Sequence, residues 1–195
     1  MYRCVLIIIF LFPVCIFANP IIQMETSRGD IILELFEKES PKTVENFLAY
    51  VEDGFYSNTI FHRVIDGCMI QAGGYASGMR EKKMREPIIN ESLENSLKNL
   101  RGTIALAQTL YPHSGASQFF INVVDNPHLD ADIQRTKSGF TVFGKVIKGM
   151  EVVDAIRRVR TRDMVIYSEF YSREVPIYNV PEEEVSISNI RLLKQ

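Results

Sequence analysis

Two periods of apolar residues organise the chain. From Ile21 to Thr26, and again over residues 30–36, apolar and polar positions alternate around Ser27-Arg28-Gly29, which predicts two strands joined by a tight hairpin. Ser40-Pro41 then supplies an N-cap and a proline at the first helical position. Val44, Phe47, Leu48 and Val51 follow at helical spacing until Gly54, predicting an amphipathic helix. Strands return at residues 58–65 and 69–73, joined at Asp66-Gly67. Residues 75–87 lose periodicity and gain charge, as a solvated loop does.

Further on, residues 95–99 read as a helical turn, with strands at 103–107 and 118–123 and a loop at 109–116 between them. Residues 140–147 alternate as a strand, and Val152, Val153, Ile156 and Val159 predict a second helix within 150–159. Residues 161–184 are Tyr-rich and show no regular period, whereas 185–193 alternate again as a closing strand. About eight strands and two helices, with loops rich in Gly and Pro, predict a mainly β fold: a closed eight-stranded antiparallel barrel with two capping α-helices. Closure would remove exposed sheet edges.

The first residues change this picture. Arg3 is followed by 15 apolar or Pro residues from Cys4 to Ala18, and Asn19-Pro20 then breaks the run. A basic start, a short apolar stretch and a small-residue exit form a secretory signal peptide over residues 1–18. A spanning helix wants about 20 apolar residues, and Pro13 interrupts this shorter run. No repeat or low-complexity linker divides the remainder, so residues 19–195 are expected to form one domain in the periplasm or a secreted protein, without a membrane contact once the signal is removed.

Cys4 and Cys15 leave with the signal, so the mature chain keeps Cys68 alone among three cysteines and forms no internal disulfide. A lone thiol in an oxidising compartment is expected to be partly buried. Loss of Arg3 from 22 basic residues against 24 acidic ones takes the formal charge from −2 to −3, which gives no footing for nucleic acid. Asn90-Glu91-Ser92 fits a glycosylation acceptor, relevant only in a eukaryotic secretory pathway.

Candidate chemistry gathers in residues 61–74 and 117–122. Arg63, Met69 and Gln71 sit at positions that share one face of two short strands, and Gln118 and Phe120 share a face of another, with Phe119 and Ile121 opposite. One cation and several amides thus accompany an apolar surface. Ser117 lacks the nucleophile-elbow pattern, His62, His113 and His128 are scattered, and no HExxH or CxxC motif occurs, so hydrolysis and metal chemistry have no apparatus and no cofactor is implied. Read singly, Met69, Phe120 and Leu129 are as consistent with barrel core, and Gln71 and Gln118 with a buried amide network.

In order along the chain, GFYSNTIFHRVI (54–65), MIQAGG (69–74), RGTIALAQT (101–109), SQFFIN (117–122), HLD (128–130) and VFGKVIKGMEVVD (142–154) resemble a cyclophilin, a peptidyl-prolyl cis-trans isomerase, and most of all the periplasmic cyclophilins of Gram-negative bacteria. The resemblance implies catalysis of rotation about Xaa-Pro bonds, assisting the folding of exported proteins. It implies catalytic roles for Arg63, Gln71 and Phe120. Met69, Phe120 and Leu129 would hold the proline ring, with Cys68 where the family usually has Phe. Ala107, Gln108 and Gln118 would bind the residues before the proline, and Gln71 would orient Arg63. His128 stands where many eukaryotic members have Trp and Phe140 where they have His, so both belong to the expected substrate surface and weak cyclosporin A binding is expected. The partners implied are proline-containing polypeptides, met by a monomer. A non-catalytic proline-binding chaperone or adhesion module using the same groove is the alternative.

Overall fold

The computed structural model describes residues 19–132, 134, 135 and 137–194. The signal peptide expected at residues 1–18 lies outside the described residues. The predicted first hairpin forms from β1 (Ile21–Thr26) and β2 (Gly29–Leu35), and its alternation is visible as burial of Ile22, Met24, Ile31, Leu33 and Leu35. The other strands are β3 (Thr59–Ile60), β4 (Arg63–Ile65), β5 (Met69–Ala72), β6 (Tyr75–Ala76), β7 (Arg80–Glu81), β8 (Thr103–Leu106), β9 (Phe119–Asn122), β10 (Val142–Lys148), β11 (Thr161–Ser168), β12 (Arg173–Pro181) and β13 (Ser186–Lys194). Helices are α1 (Pro41–Glu52), the single turn α2 (Ser92–Asn95) and α3 (Met150–Arg157).

Among the described residues, eleven strands form one curled antiparallel sheet in the order β4-β5-β9-β8-β10-β2-β1-β13-β3-β6-β7, and β11 and β12 pair with each other. The fold is therefore mainly β with few helices, as the alternation predicts. The strand count differs from the expected eight. The stretch at 58–65 is interrupted at Phe61-His62, and residues 75–81, expected as loop, carry the short β6–β7 pair. Residues 161–184, expected to be irregular, form the β11–β12 hairpin. The helical turn expected at 95–99 lies earlier, because Ser96 adopts a left-handed conformation (φ 54°) that ends α2.

α1 begins at Pro41 with Ser40 at the N-cap position as predicted, and the Ser40 carbonyl accepts the Val44 N–H at 2.9 Å, but the Ser40 side chain makes no capping bond. The Ser40 hydroxyl instead donates to the Val142 carbonyl at 2.7 Å. The free amides of the first turn go to a distant carboxylate: Glu91 accepts the N–H of Lys42 at 3.1 Å and of Thr43 at 2.9 Å, and the Thr43 hydroxyl at 2.6 Å. An acid at this end also complements the helix dipole. The same stretch uses Asn90, whose buried side-chain amide donates to Gln108 Oε1 and to the Gly139 carbonyl. Asn90 is therefore not available as a glycan acceptor.

Inside the curl, Phe47 of α1 meets Tyr56, Phe119 and Phe143 at ring-centroid distances of 5.1, 5.7 and 5.2 Å. With Ile22, Leu33, Ile70, Ile104 and Ile121 these rings form the main core. α3 lies against β2 and β5, burying Val153 and Ile156.

Candidate active site

Because side chains alternate across a strand, residues whose neighbours fill the core face the other way. Phe119 and Ile121 enter the main core, so Phe120 faces out from β9. Strand register then builds a row. Arg63 opposes Gln71, Gln71 opposes Phe120, Phe120 opposes Ala105, and Ala105 opposes Val142. Directly opposed residues share a face, so one cation, one amide and an apolar surface lie in line across β4, β5, β9, β8 and β10.

The apolar part is a second cluster on this outer face. Met69, Ala105, Phe120 and Val142 are buried, and Cys68, Ala107, Leu129, Phe140, Ile65 and Leu97 pack around them partly exposed. Phe140 closes one side, its ring edge-on to Phe120 at 5.4 Å and 82°. Phe140 and Leu129 are held together by the Phe140 N–H donating to the Leu129 carbonyl at 2.9 Å. Gly139 permits that approach, since a Cβ there would stand 2.4 Å from the Leu129 oxygen.

The amides lie beside the cation. Gln71 Nε2 donates to Gln118 Oε1 at 2.8 Å. Gln118 packs over Gly74, where a Cβ would fall 2.5 Å from Nε2 and would push the Gln118 amide out of its place beside Gln71. Arg63 and Gln71 are opposed across β4 and β5, and because the Gln71 N–H goes to Gln118, its Oε1, the atom to which an arginine can donate, is turned to no other side chain among the described hydrogen bonds. Ala107 donates its N–H to the Gln118 carbonyl at 2.9 Å. Gln108 is fixed further along by Asn90 and by donation to the Gly139 carbonyl at 3.2 Å.

Of the residues singled out in the sequence, Arg63, Gln71, Phe120, Met69, Cys68, Ala107, Gln118, Leu129 and Phe140 therefore come together on or beside one face. Gln108 joins through Asn90 and Gly139, and His128 is exposed in the turn Pro127–Leu129. Ala105 and Val142 complete the floor and were not singled out. The alternation Ala105, Ala107 within residues 103–107 carried that signal. An asparagine network was also missed: Asn126 Nδ2 donates to the Cys68 carbonyl at 2.9 Å and to Asn122 Oδ1 at 2.8 Å, while the Asn99 N–H donates to Asp130 Oδ1 at 2.7 Å. These bonds fix the turn bearing Leu129, but long-range side-chain pairing leaves no local pattern.

Burial sets the electrostatics. His62 turns inward from Arg63, its ring 4.6 Å from Tyr75. Desolvation pushes its imidazole down to about 3; the Arg63 charge lowers it further, while the Ile60 backbone and Gln118 side chain oppose. His62 is thus neutral at working pH. Burial raises the Cys68 thiol, which the Arg63 charge partly offsets, so the residue stays protonated and apolar in character. The face offers a permanent cation, neutral amides and a ring-sized apolar floor. That set can bind and polarise, but it contains no base poised to transfer a proton.

Comparison with known proteins agrees with this chemistry. The family description "Cyclophilin type peptidyl-prolyl cis-trans isomerase/CLD" matches residues 21–187. The chain is 45% identical over 170 residues to peptidyl-prolyl cis-trans isomerase B of Escherichia coli, covering 87% of this chain and 97% of that protein. It is 45% identical over 175 residues to a peptidyl-prolyl cis-trans isomerase of Acinetobacter baylyi, covering 90% and 86%. Among solved structures, a cyclophilin type peptidyl-prolyl cis-trans isomerase of Cryptosporidium parvum superposes with a TM-score of 0.70 at 26% identity, covering 91% of this chain and 99% of that one. A second structure of that protein, in the presence of the dipeptide Ala-Pro, gives 0.69 at 26% identity over 90% and 99%.

Proposed function

The chain belongs to the cyclophilin-type peptidyl-prolyl cis-trans isomerases and has their activity, and from that premise we propose that the outer face carrying Arg63 is where it twists the Xaa-Pro bond. The single observation that carries this placement is the register row Arg63–Gln71–Phe120, which sets a cation beside an apolar floor. That a related structure was determined in the presence of the dipeptide Ala-Pro supports a proline-containing polypeptide as the substrate.

The barrier to rotation, about 18–20 kcal/mol, is amide resonance, so nothing covalent has to break. In the twisted state the prolyl nitrogen keeps its lone pair and becomes a hydrogen-bond acceptor. Arg63 donates to it, and its charge persists at any working pH. Bringing a step of about 100 s to about 1 ms requires roughly 7 kcal/mol, whereas one charge-assisted hydrogen bond contributes about 1.5–3 kcal/mol. Positioning and a water-poor surface supply the rest. Met69, Phe120 and Leu129 hold the ring, with Cys68 and Phe140 at its margin. Ala107, Gln108 and Gln118 hold the chain before the proline, so one side of the bond is fixed while the other turns. Gln71 donates to Gln118 and so fixes that second amide, while its Oε1 orients Arg63 and meets the substrate backbone.

Arg63→Ala is expected to lower kcat/KM on an Ala-Pro peptide about 10- to 100-fold in a protease-coupled assay, the range that the lost charge-assisted bond implies. Unchanged activity would remove Arg63 from the mechanism, and no acceleration by the wild type would leave a proline-binding module. Weak cyclosporin A binding is expected because His128, not Trp, occupies the exposed turn. Sub-micromolar inhibition would contradict that.

The apolar run Cys4–Ala18 supports export to the periplasm or beyond, where the monomer assists folding of exported proteins. Mass spectrometry of the mature N-terminus tests the removal of residues 1–18. The same reading takes the curled sheet as a closed barrel of eight strands. What supports closure is that only Phe61 and His62 separate β3 from β4, while β3 pairs with β13 and β4 pairs with β5 at the two sides of the curl.

A further inference from the structure

The β11–β12 hairpin is the part of the molecule that the isomerase reading leaves unexplained. Its register sorts the two faces. Met164, Ile166 and Ile177 turn inward onto a small cluster of Ile60, Tyr75, Met79 and Val180. On the opposite face Val165 opposes Pro176 and Tyr167 opposes Glu174, with Tyr178 two residues along. Val165, Tyr167 and Tyr178 are 60, 65 and 54% exposed, and at the tip Phe170 is 75% exposed. Isolated exposed apolar residues are ordinary, but Val165, Pro176, Tyr167 and Tyr178 gathered on one side of a two-stranded ribbon make an apolar patch of the kind that marks an interaction surface. No further strand pairs with β11 or β12 among the described residues, so the ribbon also offers an open edge of backbone donors and acceptors.

The hairpin is continuous with the substrate face. β12 packs beside β4, the strand that carries Arg63. At the tip, Ser168 Oγ and the Phe170 N–H donate to the Glu81 carboxylate at 2.7 and 3.2 Å. Glu81 lies on β7, paired with Tyr75 of β6, and the Tyr75 ring packs at a tilt against His62, the neighbour of Arg63. A rigid chain of contacts thus fixes the ribbon along the Arg63 edge of the sheet. Its eight-residue strand β11 spans about 26 Å, the length of a comparable run of extended substrate.

We propose that the outer face and free edge of the β11–β12 hairpin form a second docking surface for the non-native polypeptide whose proline is being turned over, holding an extended apolar or aromatic segment that flanks it. The inference rests on the isomerase reading of the Arg63 face. Backbone pairing at an open strand edge gives affinity with little sequence demand, and aromatic faces add contact area for apolar side chains. This combination suits a client defined by being unfolded more than by its sequence. A short peptide that fills only the ring floor and the amides would not reach the hairpin.

The test uses the full mature protein and the triple variant Val165→Ser/Tyr167→Ser/Tyr178→Ser, whose positions face solvent. Two quantities are measured together: kcat/KM on an Ala-Pro tetrapeptide, and the Kd for fluorescent reduced and carboxymethylated α-lactalbumin, a permanently unfolded chain. The expected result is at least a tenfold weaker Kd with tetrapeptide activity within twofold of wild type. Equal Kd values overturn the proposal. It is overturned equally if the triple substitution abolishes a wild-type dimer seen in sedimentation velocity, or binding to phospholipid vesicles, while leaving the unfolded-chain Kd intact. Wild-type protein that binds the unfolded chain through the hairpin but fails to accelerate the tetrapeptide would instead count against the isomerase reading alone.

Discussion

At the scale of single residues, His62 shows how a neighbour of the key cation contributes through burial and not through titration. Its imidazole is held near 3, below the ordinary 6.5, so the unfolded chain takes up a proton that the folded chain refuses. Stability is therefore full above about pH 6.5 and falls as pH drops from there toward 3, by up to about 1.4 kcal/mol per pH unit from this residue. His62→Gln should lower stability at pH 7 yet flatten that slope, which urea titrations at pH 7, 5 and 4 would show. A slope equal to the wild type's would mean that His62 is protonated in the folded protein. Residue-scale chemistry was the most legible part of the sequence. The alternation that puts Arg63 and Gln71 on one face is the alternation realised in the register, and the partly buried Cys68 was expected from its isolation. What the spacing did not carry was the bond from Gln71 Nε2 to Gln118, because it depends on β9 lying beside β5.

Single elements were legible where one face is polar and illegible where neither is. β1, β2 and α1 have one wet side, and their periods showed it. The β11–β12 hairpin buries Met164, Ile166 and Ile177 while exposing Val165, Tyr167 and Tyr178, so polarity does not alternate and no period of two appears. Helix α1 presents a different failure. Its start was marked correctly by Ser40-Pro41, yet the acceptor for its first amides is Glu91, 49 residues beyond Lys42. Glu91 is buried and bonds two amides and a hydroxyl, so Glu91→Ala is expected to destabilise the fold by about 2–4 kcal/mol, more than an exposed cap contributes. Ser40→Ala should cost less, since the Val142 carbonyl that it leaves still accepts from Asn95 Nδ2 at 3.1 Å. Denaturant midpoints for the two variants would rank them, and the reverse order would mean that the Ser40 bond, not the Glu91 bonds, secures the helix.

For the whole molecule, the organising fact is that the same strands serve two apolar clusters, a main core inside the curl and a smaller floor outside it. The mainly β fold followed from counting alternating segments, and alternation also put Phe120 on the face opposite Phe119. Taken singly, however, Met69, Phe120 and Leu129 read equally well as core, because periodicity does not say which of two apolar faces is the larger cluster. Phe119 and Phe120 separate the two roles, being neighbours on β9 that point into different clusters. Phe119→Leu loosens packing against Phe47 and Tyr56 and should cost about 1–2 kcal/mol of stability, with kcat/KM per folded molecule within twofold of wild type. Phe120→Leu removes the ring that Phe140 meets edge-on and reshapes the floor on which a proline would rest. It should lower kcat/KM at least fivefold at a similar or smaller cost in stability, since the outer cluster is smaller than the main core and its surrounding residues Cys68, Leu129 and Phe140 are only partly buried. Unfolding curves give the fraction folded for each variant, and a protease-coupled assay at the same temperature gives the activity. If both variants lost activity in proportion to stability, the outer face would be ordinary core, and the Arg63 row would lose its apolar half.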